Sequence, residues 1–166
     1  LFKEIKAEIA NLRLVENDPK SKRVIEEVEK VINERPSNGE PIRKVIIFSE
    51  YTDTVKHLKP IMEKEFKDDV LTIAGNIGKK QNKILLEDFD AGIEETHQND
   101  NFSILLTSDK LSEGYNLNRA GAIINYDIPW NPTRVIQRVG RINRIGQKVF
   151  DKLNIYNFFP TEQGSD

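Results

Sequence analysis

The residues best suited to chemistry lie near the end of the chain, in the run Asn131-Pro132-Thr133-Arg134-Val135-Ile136-Gln137-Arg138-Val139-Gly140-Arg141-Ile142-Asn143-Arg144. At about 100° per residue, Val135, Ile136, Val139 and Ile142 share one arc of a helix, and Arg134, Gln137, Arg138, Arg141 and Arg144 share the other. Such a face has two readings. The ordinary one is the solvated basic side of an amphipathic helix. Against it, Glu and Lys are missing from this face, and a guanidinium is a rigid fork of donors matched to phosphate oxygens. Between Arg119 and Lys148 the only acidic residue is Asp127. Arginines with no acidic partner nearby in sequence imply that the face expects an anion.

A second group lies upstream. Leu106-Thr107-Ser108 ends an apolar run, and Ser112-Glu113-Gly114-Tyr115-Asn116-Leu117 follows it in a loop. Thr at a strand end followed by backbone amides suits a nucleic-acid phosphate, and glycine lets the backbone approach a ligand closely. Taken singly, Thr107 need only end a strand and Gly114 need only permit a turn.

The elements that must position these residues follow from the pattern of apolar residues. Short β-branched runs at 44–48, 70–74, 103–107, 122–126 and 153–159 alternate with amphipathic segments at 52–66, 80–91 and from Asn131-Pro132 onward. Near-continuous apolar strands separated by helices imply a parallel sheet covered on both faces, an α/β fold. Function in such sheets gathers on the loops leaving the carboxyl ends of the strands. Those loops are 49–51, 75–78, 108–118 and 127–131. Before them, Phe2, Ile5, Ile9 and Leu12 recur at helical spacing, and Asp18-Pro19 opens a second helix carrying Val24, Val28 and Val31. The turn-rich stretch from Arg35 to Pro41 places a domain boundary near residue 40, with a helical lead-in at 1–40, a main domain at 41–160 and a tail at 161–166. Trp130, flanked by two prolines, is expected to anchor its turn rather than stack on a base. The polar loop 92–101 and its His97 are expected at the surface.

Composition narrows the function classes. At 166 residues and 37% hydrophobic content, one ordinary α/β core is the expectation. Without cysteine and with only two histidines, the chain has no recognisable metal-ligand spacing. No apolar run reaches the roughly 20 residues that cross a bilayer, and the start is not signal-like, so an intracellular, membrane-free setting is expected. A net charge of −2 excludes a generally basic coat but not a local basic face.

The spacing Gln137-Arg138-x-Gly140-Arg141-x-x-Arg144 resembles the sixth motif of superfamily two helicases, and Arg144-Ile145-Gly146-Gln147 is similar to its Swi/Snf-like form. The Thr107 to Leu117 stretch resembles the fifth motif, and Lys44 to Thr52 the fourth, with Thr52 expected as a helix N-cap. The likeness runs from about Lys44 to Phe159 in motif order. It implies the second, RecA-like lobe of an ATP-driven motor, preceded by a helical extension. It further implies that Arg141 and Arg144 act as arginine fingers on ATP and that Gln137 couples nucleotide state to lobe closure. Gly114 and Asn116 would touch ATP. Ser49, Gly75, Thr107, Ser108 and Arg138 would line a nucleic-acid track, and no residue would hold a metal. The resemblance to duplex translocases favours DNA over RNA, although phosphate contacts do not read the sugar edge. A bacterial nucleoid would be the natural setting.

A complete motor also needs a phosphate loop ending in Lys and Ser or Thr, and an acidic strand end for Mg2+. Gly75-Asn76-Ile77-Gly78-Lys79-Lys80 is too short and lacks the hydroxyl, and a lone Asp127 is a weak imitation of the acid. The implied partner is therefore an N-terminal ATPase lobe of the same parent, and the isolated chain is expected to be inactive. The alternative is a stand-alone doubly wound module that binds an anion or a protein partner. A phosphate loop upstream in the parent gene would decide between the two.

Overall fold

The computed structural model describes residues 18–36, 39–111, 114–144, 146 and 148–159. The helix expected at 2–15, the tail 161–166, and Ser112, Glu113, Ile145 and Gln147 lie outside the described residues.

Chain order is α1 (Pro19–Asn33), β1 (Lys44–Ser49), α2 (Thr52–Phe66), β2 (Val70–Ile73), α3 (Lys79–Phe89), β3 (Ile104–Ser108), β4 (Ala120–Asn125), α4 (Pro132–Ile142) and β5 (Asn154–Asn157). The strands form one parallel sheet in the order β2-β3-β1-β4-β5. β1 and its neighbours β3 and β4 are buried at every position, as a sheet covered on both faces requires. Alternate side chains divide between two cores. Val45, Ile47, Ile104, Leu106 and Ile124 meet α1 and α2, while Ile46, Phe48, Leu105 and Ile123 meet α3 and α4.

α1 starts as its sequence dictates. Asp18 caps it by accepting from the Lys20 and Ser21 amides, with Pro19 at the first helical position. The boundary expected near residue 40 does not separate two cores. Val24, Val28 and Val31 of α1 are fully buried in the core under β1, and the Tyr126 hydroxyl donates to Asp18 across the sheet end. Turn residues at 35–41 mark a change of direction, and the apolar stripe of α1 has nowhere else to be buried.

Smaller differences lie at element ends. Tyr51, not Thr52, precedes α2, and it makes no side-chain capping bond. Trp130 does not anchor its turn. It is 99% exposed, because Pro129 is the buried residue there and Asn131 and Pro132 begin α4 by themselves.

Candidate functional site at the carboxyl edge of the sheet

The five parallel strands all end at one edge, where Ser49 of β1 pairs with Ser108 of β3 and Asn125 of β4 lies beside Phe48. α4 lies across this edge. Its N-cap Asn131 accepts from the Thr133 amide at 3.0 Å, and Pro132 fixes the first turn. The wheel placed Arg138 with the solvent-facing arginines and Ile136 with the apolar residues; the structure exchanges them. Arg138 is 0% exposed and Ile136 is 72% exposed, with Ile142 buried and Val135 and Val139 half-buried. The buried stripe is therefore 135, 138, 139 and 142, at i, i+3, i+4 and i+7. Half of it meets apolar strands, and the other half meets polar strand ends, where only a donor fits.

Arg138 is the keystone of those strand ends. Its Nε donates to Asp109 Oδ1 at 2.6 Å, and its Nη1 donates to Asn125 Oδ1 at 2.8 Å and to the Asp127 carbonyl at 3.2 Å. The guanidinium also stands 5.3 Å from the centre of the Phe48 ring. Asn125 in turn donates to Asn157 Oδ1, so the network reaches β5. The expectation that Arg138 touches nucleic acid is thus corrected: a side chain without solvent contact, committed to three internal acceptors, positions other groups.

The two serines and the threonine need the same correction. Ser49 is buried, its hydroxyl paired with Asp127 Oδ2 at 2.5 Å, while the Glu50 amide donates to Asp127 Oδ1 at 2.6 Å. Thr107 is buried and donates to the Ile73 carbonyl at 3.0 Å. Ser108 is buried as well. The Ser49 and Thr107 hydroxyls are thus spent on internal partners, whereas the buried Ser108 Oγ has no hydrogen-bond partner among the described residues. Gly75 and Gly114 do adopt the left-handed backbone that favours glycine, with φ of 91° at each, and Gly114 is exposed. Asn116 is half-buried, and its Oδ1 has no hydrogen-bond partner among the described residues.

The remaining members of the motif gather on one groove. Gln137, Gly140, Arg141, Asn143 and Arg144 line it, with Gln137 and Arg144 exposed and Arg141 half-buried. The Arg141 carbonyl accepts from the Leu117 amide at 2.9 Å, which ties α4 to the loop carrying Gly114 and Asn116. The arginine face is less starved of acids than its local sequence implied. Arg134 pairs with Glu50 at 2.9 Å and lies 3.6 Å from Asp109, so carboxylates from the loops after β1 and β3 arrive through the fold. Sequence reasoning missed Asp109 and Asn125 as site residues. Their signal was a polar side chain ending an apolar strand run. Among the described residues the groove lining is rich in guanidinium and amide donors, which suits phosphate oxygens. Among the described residues no group of three or more His, Cys, Asp or Glu side chains is arranged to hold a metal ion. No helix among them is long and apolar enough to cross a membrane.

Residues 23–146 match the family described as the helicase conserved C-terminal domain. The chain belongs to that family. Among its relatives, the ATP-dependent helicase YqhH of Bacillus subtilis (strain 168) is 35% identical over 114 residues, which cover 69% of this chain and 18% of YqhH. The chain therefore corresponds to less than a fifth of that helicase. The C-terminal part of the Fun30 ATPase domain superposes with a TM-score of 0.65 at 22% identity, covering 83% of this chain and 40% of that one. The second domain of the DEAD-box helicase Mss116p, bound to an RNA duplex, gives 0.60 at 23% identity over 83% of this chain and 49% of its own. Both share the RecA-like α/β fold described above. As a helicase C-terminal domain, the chain carries Gln137 to Arg141 of its Gln-Arg-x-Gly-Arg-x-x-Arg run on α4 and Arg144 just beyond the helix end, with the first arginine inside the protein and the other two beside the groove.

Proposed function

We propose that this domain is the second lobe of an ATP-driven, nucleic-acid-dependent motor, and that it completes an ATP site whose phosphate loop belongs to an N-terminal lobe of the same parent. The observation that carries this reading is the groove on which Gln137, Arg141 and Arg144 converge, at the end of a helix pinned from beneath by Arg138. ATP with Mg2+ would bring the transferable phosphoryl group, and the other lobe would hold the metal. On lobe closure Arg141 and Arg144 stabilise the charge that develops on the phosphoryl oxygens, and Gln137 senses whether the γ-phosphate is present. Asn116 and the Gly114 backbone lie on the loop joined to Arg141 and complete the nucleotide side.

The nucleic-acid track would run over the exits of β2 and β3, with the left-handed Gly75 on the first of them letting the backbone approach a phosphate. The hydroxyls of Ser49, Thr107 and Ser108 shape those exits from inside. The Arg144-Ile145-Gly146-Gln147 ending favours a Swi/Snf-like translocase moving on duplex DNA.

The test is ATP turnover by the full-length parent with single-stranded DNA, duplex DNA and RNA as stimulants. Stimulation by duplex DNA is expected, together with negligible turnover by the 166-residue chain alone. Arg144→Ala in the parent should lower turnover by about a thousandfold or more with folding intact. Turnover unchanged in that variant would refute the arginine-finger assignment, and robust hydrolysis by the isolated chain would refute the half-motor.

A further inference from the structure

The end of the sheet opposite the arginine groove holds a cavity of about 290 Å³. It opens where β1 and β4 begin, about 16 Å along β1 from Ser49 at the usual rise per residue. Pro41, Ile42 and Val149 form apolar walls, and Arg43, Lys44 and Arg119 supply the polar floor. Nothing in the motor reading uses these residues.

The three cations are almost completely enclosed, with side-chain exposures of 10% for Arg43, 9% for Lys44 and 14% for Arg119. Buried cations need paired anions. Arg43 has two, Glu40 at 2.8 Å and Glu34 at 3.3 Å, yet its buried Nε has no partner among the described residues. Lys44 and Arg119 are served differently. Both reach for the same atom, Asp100 Oδ1, at 2.9 and 2.6 Å, with Asp88 Oδ1 further off at 3.6 Å from Lys44. Burial pushes the Lys44 ammonium below its ordinary pKa, while its hydrogen bond to Asp100 opposes that and the Arg119 charge adds to it. The shared carboxylate is itself 76% exposed. Without it, Lys44 and Arg119 share only the more distant Asp88 carboxylate, beside an Arg43 served by its own two glutamates, at the base of an apolar-walled cavity.

The backbone around Asp100 does not depend on that side chain. Asp88 Oδ1 accepts from the Asn101 and Phe102 amides at 2.7 and 3.0 Å, and Arg119 holds the Asn99 carbonyl at 2.8 Å. Asp100 can therefore rotate into water while its loop stays in place. Arg43 is fixed too, because its side chain lies flat on Gly121. A Cβ there would collide with Arg43 Cγ.

We propose that this cavity is a second ligand site, for a small monocarboxylate with a compact apolar body, whose carboxylate replaces Asp100 between Lys44 and Arg119. The apolar walls take the body of the ligand, and the Arg43 Nε supplies a further donor. A ligand carboxylate restores the single charge that Asp100 gives up, and the mostly apolar walls suit its body, whereas a phosphate dianion would add a second negative charge and leave the walls wet. Asp100 is then a built-in competitor that occupies the site when no ligand is present.

The test uses the 166-residue chain labelled with 15N, titrated with benzoate, with benzamide as the neutral isostere and inorganic phosphate as a second anion. Saturable amide shifts at Lys44, Ser103 and Arg119 are expected with benzoate, and at least about tenfold weaker binding with benzamide and phosphate. Asp100→Asn, which keeps the side-chain shape but removes the competing charge, should tighten benzoate binding by about tenfold, since the cation pair is no longer occupied. Equal binding of benzoate and benzamide would overturn the proposal, as would the absence of saturable shifts in the wild-type chain. So would an unchanged or weakened affinity in an Asp100→Asn chain whose amide spectrum remains dispersed.

Discussion

Removing the Arg138 guanidinium should be the most damaging single change at the carboxyl edge, and its size can be worked from the structure. Arg138→Met keeps a long side chain in the same slot but strips three hydrogen bonds, to Asp109, Asn125 and the Asp127 carbonyl. Breaking a buried ion pair by deleting one partner costs about 3–5 kcal/mol, because the other charge stays buried. Here Asp109 retains Arg134 at 3.6 Å, a half-exposed countercharge, so the low end of that range, about 3 kcal/mol, is the expectation. In a chain of this length that corresponds to a fall in Tm of about 6–12 °C. Urea unfolding followed by circular dichroism reads the loss directly. A double-mutant cycle with Asp109→Asn should give a coupling of about 2 kcal/mol, the upper part of the range for contacting pairs. A single-variant loss under about 1 kcal/mol, or a coupling indistinguishable from zero, would refute the view that this pair holds α4 onto the sheet.

Two further outcomes follow from buried hydroxyls. Tyr126 is pushed up to about 12, chiefly by burial, with its hydrogen bond to Ser21 opposing and the Asp18 charge adding. Its raised pKa means the folded state keeps a proton that the unfolded chain loses near pH 10, so the stability it contributes is complete below pH 10 and is lost as pH rises toward 12. The loss over that window should be about 2–3 kcal/mol. It is read as the difference between wild type and Tyr126→Phe, which removes the opposite contributions of Lys20 and Lys44, both lowered by burial. Thr107→Val should cost about 1 kcal/mol of stability, the worth of its bond to the Ile73 carbonyl, and leave the parent's nucleic-acid affinity at fixed salt unchanged. Weaker binding at unaltered stability would restore Thr107 to the track.

The alternation of strands and helices was legible because short continuous apolar runs alternate with segments of helical period, and the parallel sheet follows from runs apolar on both faces. The motif on α4 was legible in order and spacing. What the residues could not disclose was orientation. A helical wheel sorts Arg138 by polarity, yet a helix laid over strand ends meets Asp109, Asn125 and the Asp127 carbonyl, and there a guanidinium is the interior residue. Acidic partners for Arg134 were likewise invisible, because Glu50 is 84 positions away in the chain. Ser49 and Thr107 stood at the expected strand ends, but the direction of a hydroxyl depends on the loop packed against it. The knot of Arg43, Lys44 and Arg119 left no local pattern, since its three cations and their acids come from five separate stretches of chain.

Trp130 is the only tryptophan of the 166 residues, and it stands almost wholly in water on the turn that leads into α4. Its fluorescence will therefore be nearly blind to unfolding, since water surrounds the indole before and after. The same property makes it an intrinsic reporter of docking: anything that settles over this edge, whether a second lobe or a nucleic acid, will change its emission without an added label. A blue shift would signal an apolar cover, and quenching a stacked base.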